Sequence, residues 1–327
     1  MLHVIKADTP VFSVVIPFYN NRAIAPACFP TVVRLREKNG AVGEIIAVDD
    51  CSTDGTAAWI HESYPDVKLI TNERNIGFGQ ACLCGIRQAA YAWIILLNSD
   101  IKIISDIITP LIEDIQKHPD LFAVSFFSFD EKGGEFEGRK KIIPKTGLFK
   151  TRNNFSGEYG EGVLYDTFYA CGGHMLVSRE KFLQLKGFSQ VFKPFYWEDA
   201  DISYRAMKRG WQVFFDPRCR VEHGHSSSIR QENRERIISM IQTRNKMLFF
   251  WKNISSPLLW LRHTAGMLVR IATSWIAGDF IFYRAFGSAI AKVPQVCKER
   301  SVEKILWCKN DRELFRIGKT ANTMGKP

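Results

Sequence analysis

Three short runs of largely apolar residues, each followed at once by polar residues, constrain the fold of this chain most. They cover residues 12–16, 44–48 and 93–97. Runs of this kind are typical of strands buried on both faces of a parallel sheet. Because open α/β sheets bind ligands beyond the carboxyl ends of their strands, the polar segments that follow indicate a ligand site at one edge of such a sheet.

The three polar segments contain residue types suited to that position. They are residues 17–20, residues 49–56, which begin with two aspartates, and residues 98–100, which end in Asp100. We expect Asp100 to lie where a metal ion or a phosphate would be held. Asp54 is better explained as a cap of the helix that begins near residue 56, since aspartate is favoured before a helix N-terminus.

A second acidic cluster lies at residues 197–201, in the order Trp-Glu-Asp-Ala-Asp, and two histidines follow at His223 and His225. Carboxylates beside imidazoles provide a general base next to a divalent metal. Acids are also common at helix N-termini, where they accept hydrogen bonds from free N–H groups. Three acids within five positions repel one another unless a cation, a proton or an arginine compensates them, and this favours a functional cluster.

Together these motifs resemble those of the glycosyltransferase family 2 enzymes, over roughly residues 11–252. The resemblance depends on the order and spacing of residues 14–20, 48–56, 72–79, 98–100, 172–173, 197–205 and 223. It implies the GT-A fold, a Rossmann-like α/β architecture whose mixed, mostly parallel sheet is flanked by helices. It also implies an inverting transfer of sugar from a nucleotide-diphosphate donor, either a UDP- or a dTDP-sugar.

The resemblance assigns roles to individual residues. The donor nucleotide site would comprise Pro17, Tyr19, Asn20, Asp49, Asp50, Gly77, Asn98, Ser99 and Asp100, with Asp50 accepting from a pyrimidine imide N–H. The acceptor and sugar side would comprise Gly172, Gly173, Trp197, Glu198 and Asp201, and Asp199 would be the catalytic base. Mg²⁺ or Mn²⁺ would be bound by Asp100 and His223, with His225 as the alternative ligand because alternate residues of a strand face one side.

One position departs from the family pattern, since Asn98 replaces the first acid of the Asp-x-Asp motif. An amide oxygen can still serve a hard cation, but the site loses one negative charge. A non-catalytic nucleotide-sugar or carbohydrate-binding scaffold at the membrane therefore stays open as an alternative. A sugar-phosphate nucleotidyltransferase is a weaker alternative, because residues 17–21 lack a glycine-rich basic phosphate loop.

Positive charge is concentrated in the last third of the chain. Residues 229–327 carry 18 Lys+Arg and 7 Asp+Glu, whereas residues 1–228 carry 26 and 27. We therefore divide the chain into a catalytic domain, residues 1–252, and a basic helical extension, residues 253–327, that associates with a membrane or with a second copy. No nucleic-acid-binding motif is present, which argues against a nucleic-acid partner.

Residues 258–293 are predicted to form a helix or a helix pair at the membrane interface. If this segment is one continuous helix, Arg262, Arg270, Arg284 and Lys292 gather on about a third of its circumference, with Asp279 opposite. Such a helix suits an anionic membrane surface. The alternative is a set of shorter helices packed on the catalytic domain or on another subunit, since glycines at 266, 278 and 287 can break the helix.

Other features bear on location and on substrate. The eight cysteines form no CxxC pair and the first residues lack an apolar signal sequence, so we expect a cytoplasmic protein, peripheral on the cytoplasmic face of the inner or plasma membrane. The polar, glycine-rich residues 130–165 predict either a lid loop that orders when donor binds or an ordinary surface loop. The expected reaction is hexosyl or rhamnosyl transfer to a glycan or lipid-linked acceptor in cell-surface polysaccharide synthesis.

Overall fold

A mixed sheet of ten strands forms the centre of the protein. The computed structural model describes residues 9–145, 147–154, 159–160, 162–224 and 235–317. Eight strands follow one path, and their order across the sheet is residues 165–166, 212–223, 121–129, 174–178, 93–97, 12–18, 42–49 and 68–71. Residues 101–103 pair with the strand of residues 212–223, and residues 135–137 pair with the strand of residues 121–129. The predicted GT-A architecture, a mixed sheet flanked by helices, is confirmed.

Four parallel strands form one half of this sheet. They are β1 (Phe12–Phe18), β2 (Val42–Asp49), β3 (Lys68–Thr71) and β4 (Trp93–Leu97). The three strands predicted from apolar runs are β1, β2 and β4. Their side chains alternate between two cores, since Val15 enters one core while Val14 and Ile16 enter the other.

Helices cover both faces of the parallel half. The helices that follow the first three strands are α1 (Ala25–Lys38), α2 (Thr56–Ser63) and α3 (Phe78–Gln88). Phe29 of α1 and Ile60 of α2 belong to the core of Val14, whereas Ile86 of α3 belongs to the core of Val15. Both faces of the parallel strands are thus buried, as their continuous apolar runs require.

The other half of the sheet, with the helices that flank it, contains the acidic cluster of residues 197–201 and His223. Its elements are β5 (Ile101–Ile103), α4 (Ile108–Lys117), β6 (Leu121–Phe129), β7 (Glu135–Glu137), β10 (Tyr165–Asp166), β11 (His174–Ser178), α5 (Arg179–Gln184), α6 (Glu198–Lys208) and β12 (Gln212–His223). β11 is antiparallel to both β4 and β6. Therefore the first residue of β11, His174, lies beside the last residue of β4, Leu97.

The prediction of a lid loop over residues 130–165 was wrong for much of this segment. It contains β7, followed by a hairpin of β8 (Lys140–Lys145) and β9 (Leu148–Asn153), while residues 146, 155–158 and 161 lie outside the described residues. Ile142, Leu148 and Phe149 of the hairpin are buried in the main core. Charged residues separate these apolar side chains in sequence, so the pattern appeared to be that of a polar loop.

The C-terminal region is helical, as predicted, but it is not one long helix. It comprises α7 (Glu235–Asn253), α8 (Pro257–Ile276), α9 (Phe280–Ile290), α10 (Val293–Lys304) and α11 (Asp311–Leu314). Gly278, at φ 65°, separates α8 from α9, and Asp279 caps α9 by accepting from Phe282 N at 3.2 Å. Residues 258–293 therefore do not form one continuous helix; the pair α8 and α9 spans most of them, and the four cations do not share one helical face.

These C-terminal helices pack directly on the catalytic half of the molecule. Phe249 of α7, Phe282 of α9 and Val296 of α10 belong to the same core as Ala81 and Phe168. Phe249 packs against Trp197 with ring centroids 5.1 Å apart. The helical extension thus contributes to the core that supports α6.

A buried ion cluster fastens α6 to α7. Asp201 is fully buried and accepts from Arg205 Nε, Lys252 Nζ and Asn253 Nδ2, each at 2.8 Å. Arg205 also donates to the carbonyls of Leu185 and Gly187. Since every charge in this cluster is taken out of water, each depends on the partners that remain.

We predict that Lys252→Ala lowers the free energy of unfolding by about 3 kcal/mol, because it leaves the buried Asp201 carboxylate with one cation fewer. Chemical denaturation with a fluorescence readout measures the change. Lys298→Ala, on the exposed side of α10, is the matched control and should change stability by less than about 0.5 kcal/mol. An equal, small effect of both substitutions would show that the cluster is not held by Lys252.

Candidate functional site

The first two polar segments meet at the carboxyl edge of the parallel strands. Asn20 adopts a left-handed conformation at φ 52°, donates from its N–H to Ser52 Oγ at 3.0 Å and accepts from Thr53 N at 2.9 Å. Tyr19 beside it is half-buried, and Pro17 is buried within β1 opposite Val48. The loops after β1 and β2 therefore form one surface, as parallel pairing of the strands requires.

The aspartates after β2 have different partners. Asp54 accepts from Thr56 N at 3.0 Å and from Arg22 N at 2.8 Å; it thus holds the first residue of α2, although Gly55 and not Asp54 occupies the N-cap position. Asp49 is buried, and its Oδ2 accepts from Ser52 N at 3.0 Å. Asp49 thus holds the turn through Oδ2, while its Oδ1 has no hydrogen-bond partner among the described residues.

Asp50 holds the next loop in place. Its Oδ1 accepts from Ile76 N at 2.9 Å and from Asn72 Nδ2 at 2.8 Å, and its Oδ2 accepts from Gly77 N at 2.8 Å. Gly77 has φ 86°, a conformation that favours glycine, and it lies directly before α3. Contact between Asp50 and a nucleotide base stays a prediction, since these oxygens already accept three hydrogen bonds.

Two glycines bring the donor side and the acceptor side together. Asn98 N donates to Gly173 O at 2.7 Å, and a Cβ added at Gly173 would lie 2.6 Å from Asn98 Nδ2. A Cβ added at Gly172 would lie 3.5 Å from Asp199 Cβ. Gly173 therefore allows the close approach of Asn98, while Gly172 lies in ordinary van der Waals range of Asp199 on α6.

The carboxylates of Asp100 and Glu137 and the imidazoles of His174 and His223 lie close together. His223 Nε2 lies 3.4 Å from Asp100 Oδ2, and His174 Nε2 lies 3.2 Å from Glu137 Oε2. Ligand atoms of Glu137, His174 and His223 all lie within 4.8 Å of one another. The structure thus brings the predicted pair Asp100 and His223 together, whereas His225 lies outside the described residues.

Glu137, His174 and Lys140 were not expected from the sequence. Lys140 Nζ is buried and lies 2.9 Å from Glu137 Oε1. Burial alone raises the pKa of Glu137, but the Lys140 charge and the hydrogen bond to His174 hold it well below its usual range. The signal that could have identified His174 is its position directly after Gly172-Gly173; Glu137 lies in a charged run with no such signal.

The donor set at this position fits a divalent cation. Carboxylate oxygens are the preferred ligands of Mg²⁺ and Mn²⁺, and imidazole nitrogen is also a metal ligand. Asp100, Glu137, His174 and His223 provide both types from four different strands or strand ends. These residues are therefore the ones that could hold a metal ion.

A strained turn presents the acidic cluster of α6. Tyr196 and Trp197 are consecutive non-glycine residues in the left-handed region, with φ 71° and φ 77°. Such residues cost free energy and persist where their surroundings fix them. Asn245 of α7, fully buried, donates to the carbonyls of Phe192, Phe195 and Tyr196 at 2.9, 2.9 and 2.8 Å and so fixes this turn.

The first two acids of the cluster are titratable in the neutral range. Burial raises the pKa of Asp199 to about 6. Burial, followed by the charge of Asp199, raises the pKa of Glu198 to about 8. At pH 7 Asp199 is therefore mostly a carboxylate, which can accept a proton, while Glu198 is mostly neutral.

The remaining predicted acceptor residues differ in their accessibility. Glu198 lines a small cleft with Gly77, Phe78 and Lys193. Trp197 is only 8% exposed. Asp201 has both oxygens occupied by Arg205, Lys252 and Asn253, and these contacts favour a supporting role over contact with a sugar.

Comparison with known proteins agrees with the geometry of this site. The model of the family "Glycosyl transferase family 2" matches residues 13–185, more than half of the chain. This chain belongs to glycosyltransferase family 2. The match ends before Asp199, so the acidic cluster of α6 lies outside it.

The sequence identity of this glycosyltransferase to individual relatives is low. It is 25% identical over 207 residues to N-acetylglucosaminyl-diphospho-decaprenol L-rhamnosyltransferase of Mycobacterium tuberculosis, covering 56% of this chain and 67% of the relative. Two solved structures share the fold. GalNAc-T7 with UDP, GalNAc and Mn²⁺ has a TM-score of 0.59 at 19% identity, covering 76% of this chain and only 48% of that one.

The second structure is the mannosyltransferase PcManGT from Pyrobaculum calidifontis, with GDP-Man and Mn²⁺. Its TM-score is 0.51 at 14% identity, and the alignment covers 92% of this chain and 81% of that one. At such low identity both structures establish the fold alone. The roles of individual residues in this glycosyltransferase therefore depend on its own geometry.

The raised pKa of Glu198 predicts a pH-dependent effect of Glu198→Gln on stability. The folded protein keeps this carboxyl protonated up to about pH 8, whereas the unfolded chain releases the proton near pH 4.5. The wild type therefore loses stability as pH rises through this window, and the variant does not. We expect the melting temperature of the variant, relative to wild type, to be higher at pH 8 than at pH 5.

Thermal melting at both pH values measures this difference. Glu62→Gln, an exposed acid on α2, is the control and should shift the melting temperature equally at the two pH values. If Glu198→Gln shifts the melting temperature equally at pH 5 and pH 8, the assignment of a neutral Glu198 is contradicted.

Proposed function

We propose that this glycosyltransferase moves a sugar from a UDP- or dTDP-sugar to an acceptor hydroxyl, with inversion, by single displacement. The observation that carries the proposal is the position of Asp199. Its carboxylate lies at the start of α6, beside Gly172, and the adjoining Gly173 contacts the segment that ends in Asp100. A base with a pKa of about 6 therefore lies next to the place where the donor is expected.

The donor side contributes position and charge. We assign the nucleotide to the surface formed by the loops after β1 and β2 and by the Gly77 loop, which Asp50 holds. A Mg²⁺ or Mn²⁺ ion held by Asp100 and His223, with Glu137 and His174 as further ligands, would neutralise the departing diphosphate. Lys140 adds a fixed positive charge on the same side of the site.

The acceptor side contributes the proton transfer. Asp199 accepts the proton of the acceptor hydroxyl at a carboxylate oxygen while that hydroxyl oxygen attacks the anomeric carbon. Neutral Glu198 is a hydrogen-bond donor toward an acceptor hydroxyl in the neighbouring cleft. Asp201 and Asn245 hold the helix and the turn that carry both acids.

The proposal also covers the acceptor of the sugar and the location of the protein in the cell. We propose a glycan or lipid-linked acceptor used in cell-surface polysaccharide synthesis, with the protein peripheral on the cytoplasmic face of the inner or plasma membrane. The name of the mycobacterial relative describes transfer of rhamnose to a lipid-linked sugar, which supports hexosyl or rhamnosyl transfer of that class. The alternative is that the C-terminal extension, residues 253–327, contacts a second copy of the chain.

A non-catalytic nucleotide-sugar-binding scaffold is the second candidate function. Asn98 favours it, because the expected acid at this position would add a negative charge for the metal. The half-buried Asp199 carboxylate, whose pKa is raised to about 6, favours the enzyme instead. Measurement of turnover together with donor binding separates the two.

We predict that Asp199→Asn lowers kcat by about 10² or more and leaves donor affinity nearly unchanged, because the carboxylate acts only when the proton moves. In the wild type, kcat/KM should rise with pH through about pH 6 as Asp199 deprotonates. Release of nucleoside diphosphate measures turnover, and titration calorimetry measures donor binding. Exposed Asp66→Asn is the control, and near wild-type turnover in Asp199→Asn would reject the base assignment.

Chelation provides the test of the metal site. EDTA should abolish transfer and Mn²⁺ or Mg²⁺ should restore it, while Asp100→Ala should weaken donor binding mainly when metal is present. Glu137→Gln should lower Mn²⁺ affinity about tenfold or more, measured by calorimetry on the protein alone. Glu135→Gln, exposed on the same strand, is the control; full activity in chelator would exclude a metal-dependent reaction.

A further inference from the structure

The helix α8 has its apolar face directed outward. The side chains that it buries against the protein include His263, Met267 and Ser274, and His263 Nε2 accepts from Trp251 Nε1 at 2.9 Å. At about 100° per residue, its outer residues cover about 120° of the helix without a polar side chain. This outer face of α8 consists of Leu258, Leu261, Ala265, Leu268, Val269, Ala272, Trp275 and Ile276, all exposed.

Exposed apolar side chains are concentrated in this region of the molecule. Within the described residues, every exposed large apolar side chain except Ile104 lies beyond residue 235. Trp275 is 71% exposed and Ile276 is 86% exposed, at the end of α8. Contiguous apolar surface of this kind marks an interaction site.

A groove with two arginines adjoins the end of α8. It has a volume of about 420 Å³ and lies between the start of α7 and the turn from α8 to α9. Arg236 and Arg284, both exposed, flank an apolar floor that includes Met240 and Phe280. The acid in the groove, Asp279, is paired with Arg270 at 3.6 Å, so it does not neutralise the two arginines.

We propose that the outer face of α8 and the Arg236–Arg284 groove bind an anionic phospholipid bilayer. The outer face would lie in the membrane interface, along the roughly 30 Å length of α8, and the groove would take a lipid phosphate. This inference extends the proposed function, because it assigns the surface on which a membrane-borne acceptor is met. Among the described residues, no helix is both long enough and apolar enough to cross a membrane.

The charge of this region favours a lipid surface over a second copy of the chain. Residues 229–327 carry 18 Lys+Arg against 7 Asp+Glu. A two-fold interface would bring the same basic surface of two copies together, and like charges repel. Anionic headgroups instead complement these cations, while the lipid interface accepts Leu261, Leu268 and Trp275.

The helix α7 connects this surface to the candidate active site. Arg236 lies in its first turn at the groove, and Asn245 contacts the carbonyls in the turn before Glu198. The two residues are about 14 Å apart along the helix axis. One helix therefore joins the proposed membrane surface to the turn that carries the acidic cluster of α6.

Co-sedimentation of the full chain with vesicles tests the proposal. The wild type should sediment with phosphatidylglycerol vesicles, less with phosphatidylcholine vesicles, and less again at high salt. The double variant Leu261→Glu/Leu268→Glu should lower binding at least tenfold to both. Leu268→Glu alone should also lower binding, whereas Ile104→Glu, which places the same single charge at the exposed apolar side chain far from α8 in sequence, should bind as the wild type does.

A second pair of variants tests the groove. Arg236→Gln/Arg284→Gln should lower affinity for phosphatidylglycerol vesicles about 20-fold and leave the weak binding to phosphatidylcholine unchanged. Lys38→Gln/Arg87→Gln removes the same charge from exposed positions on α1 and α3 and should have little effect. An equal loss in both double variants would show that only net charge matters and would overturn the groove assignment.

Two results would overturn the membrane proposal as a whole. One is equal recovery of the wild type in the supernatant with and without anionic vesicles. The other is a dimer in sedimentation velocity that Leu261→Glu/Leu268→Glu abolishes, since the occupant would then be a second copy. Transfer to a soluble acceptor without vesicles is measured separately, so failure of catalysis and failure of membrane binding are distinguished.

Discussion

The buried contact between α6 and α7 is the interaction on which the candidate active site depends. Asp201 receives hydrogen bonds from Arg205, Lys252 and Asn253, and the strained turn at Tyr196 and Trp197 is held by Asn245. Both supports come largely from α7, which begins 50 residues after the end of the family match at residue 185. The C-terminal helices are thus part of the machinery that orients Asp199, and not an appendage to it.

The same burial that makes this contact strong also sets the chemistry of the first two acids. Neighbouring carboxylates removed from water cannot both ionise easily, so the pKa of Glu198 rises further than that of Asp199. Asp201 escapes this effect, because Arg205 and Lys252 lower its pKa in spite of burial. Three acids of one helical turn therefore differ in pKa: Asp199 and Asp201 are carboxylates near neutral pH and Glu198 is neutral, which suits one base, one structural anion and one hydrogen-bond donor.

The sequence predicted those parts of the site that follow from local pattern. Apolar runs ending in polar residues identified β1, β2 and β4 and the segments beyond them, since burial on both faces of a parallel sheet leaves a continuous apolar run in the sequence. Glu137 and His174 were missed because they meet through pairing of distant strands. β7 has only three residues, and its charged neighbours resemble a loop. The sequence named Gly278 as one of three glycines that can break the helix, but the choice among them depended on the packing of α9 against the core, which a helical wheel cannot show.

Glu137 also changes the interpretation of the departure at Asn98. The asparagine removes one negative charge from the family motif, but the structure places a carboxylate from β7 within 3.2 Å of His174, beside His223 and Asp100. Lys140 lies on the other oxygen of Glu137 and balances its charge, so this carboxylate adds an oxygen that faces His174, Oε2, and no net negative charge. Glu137 therefore compensates for Asn98 in the number of oxygen atoms that could hold a cation, and not in the charge of the site. The motif alone does not contain this oxygen, because it comes from a separate strand, β7.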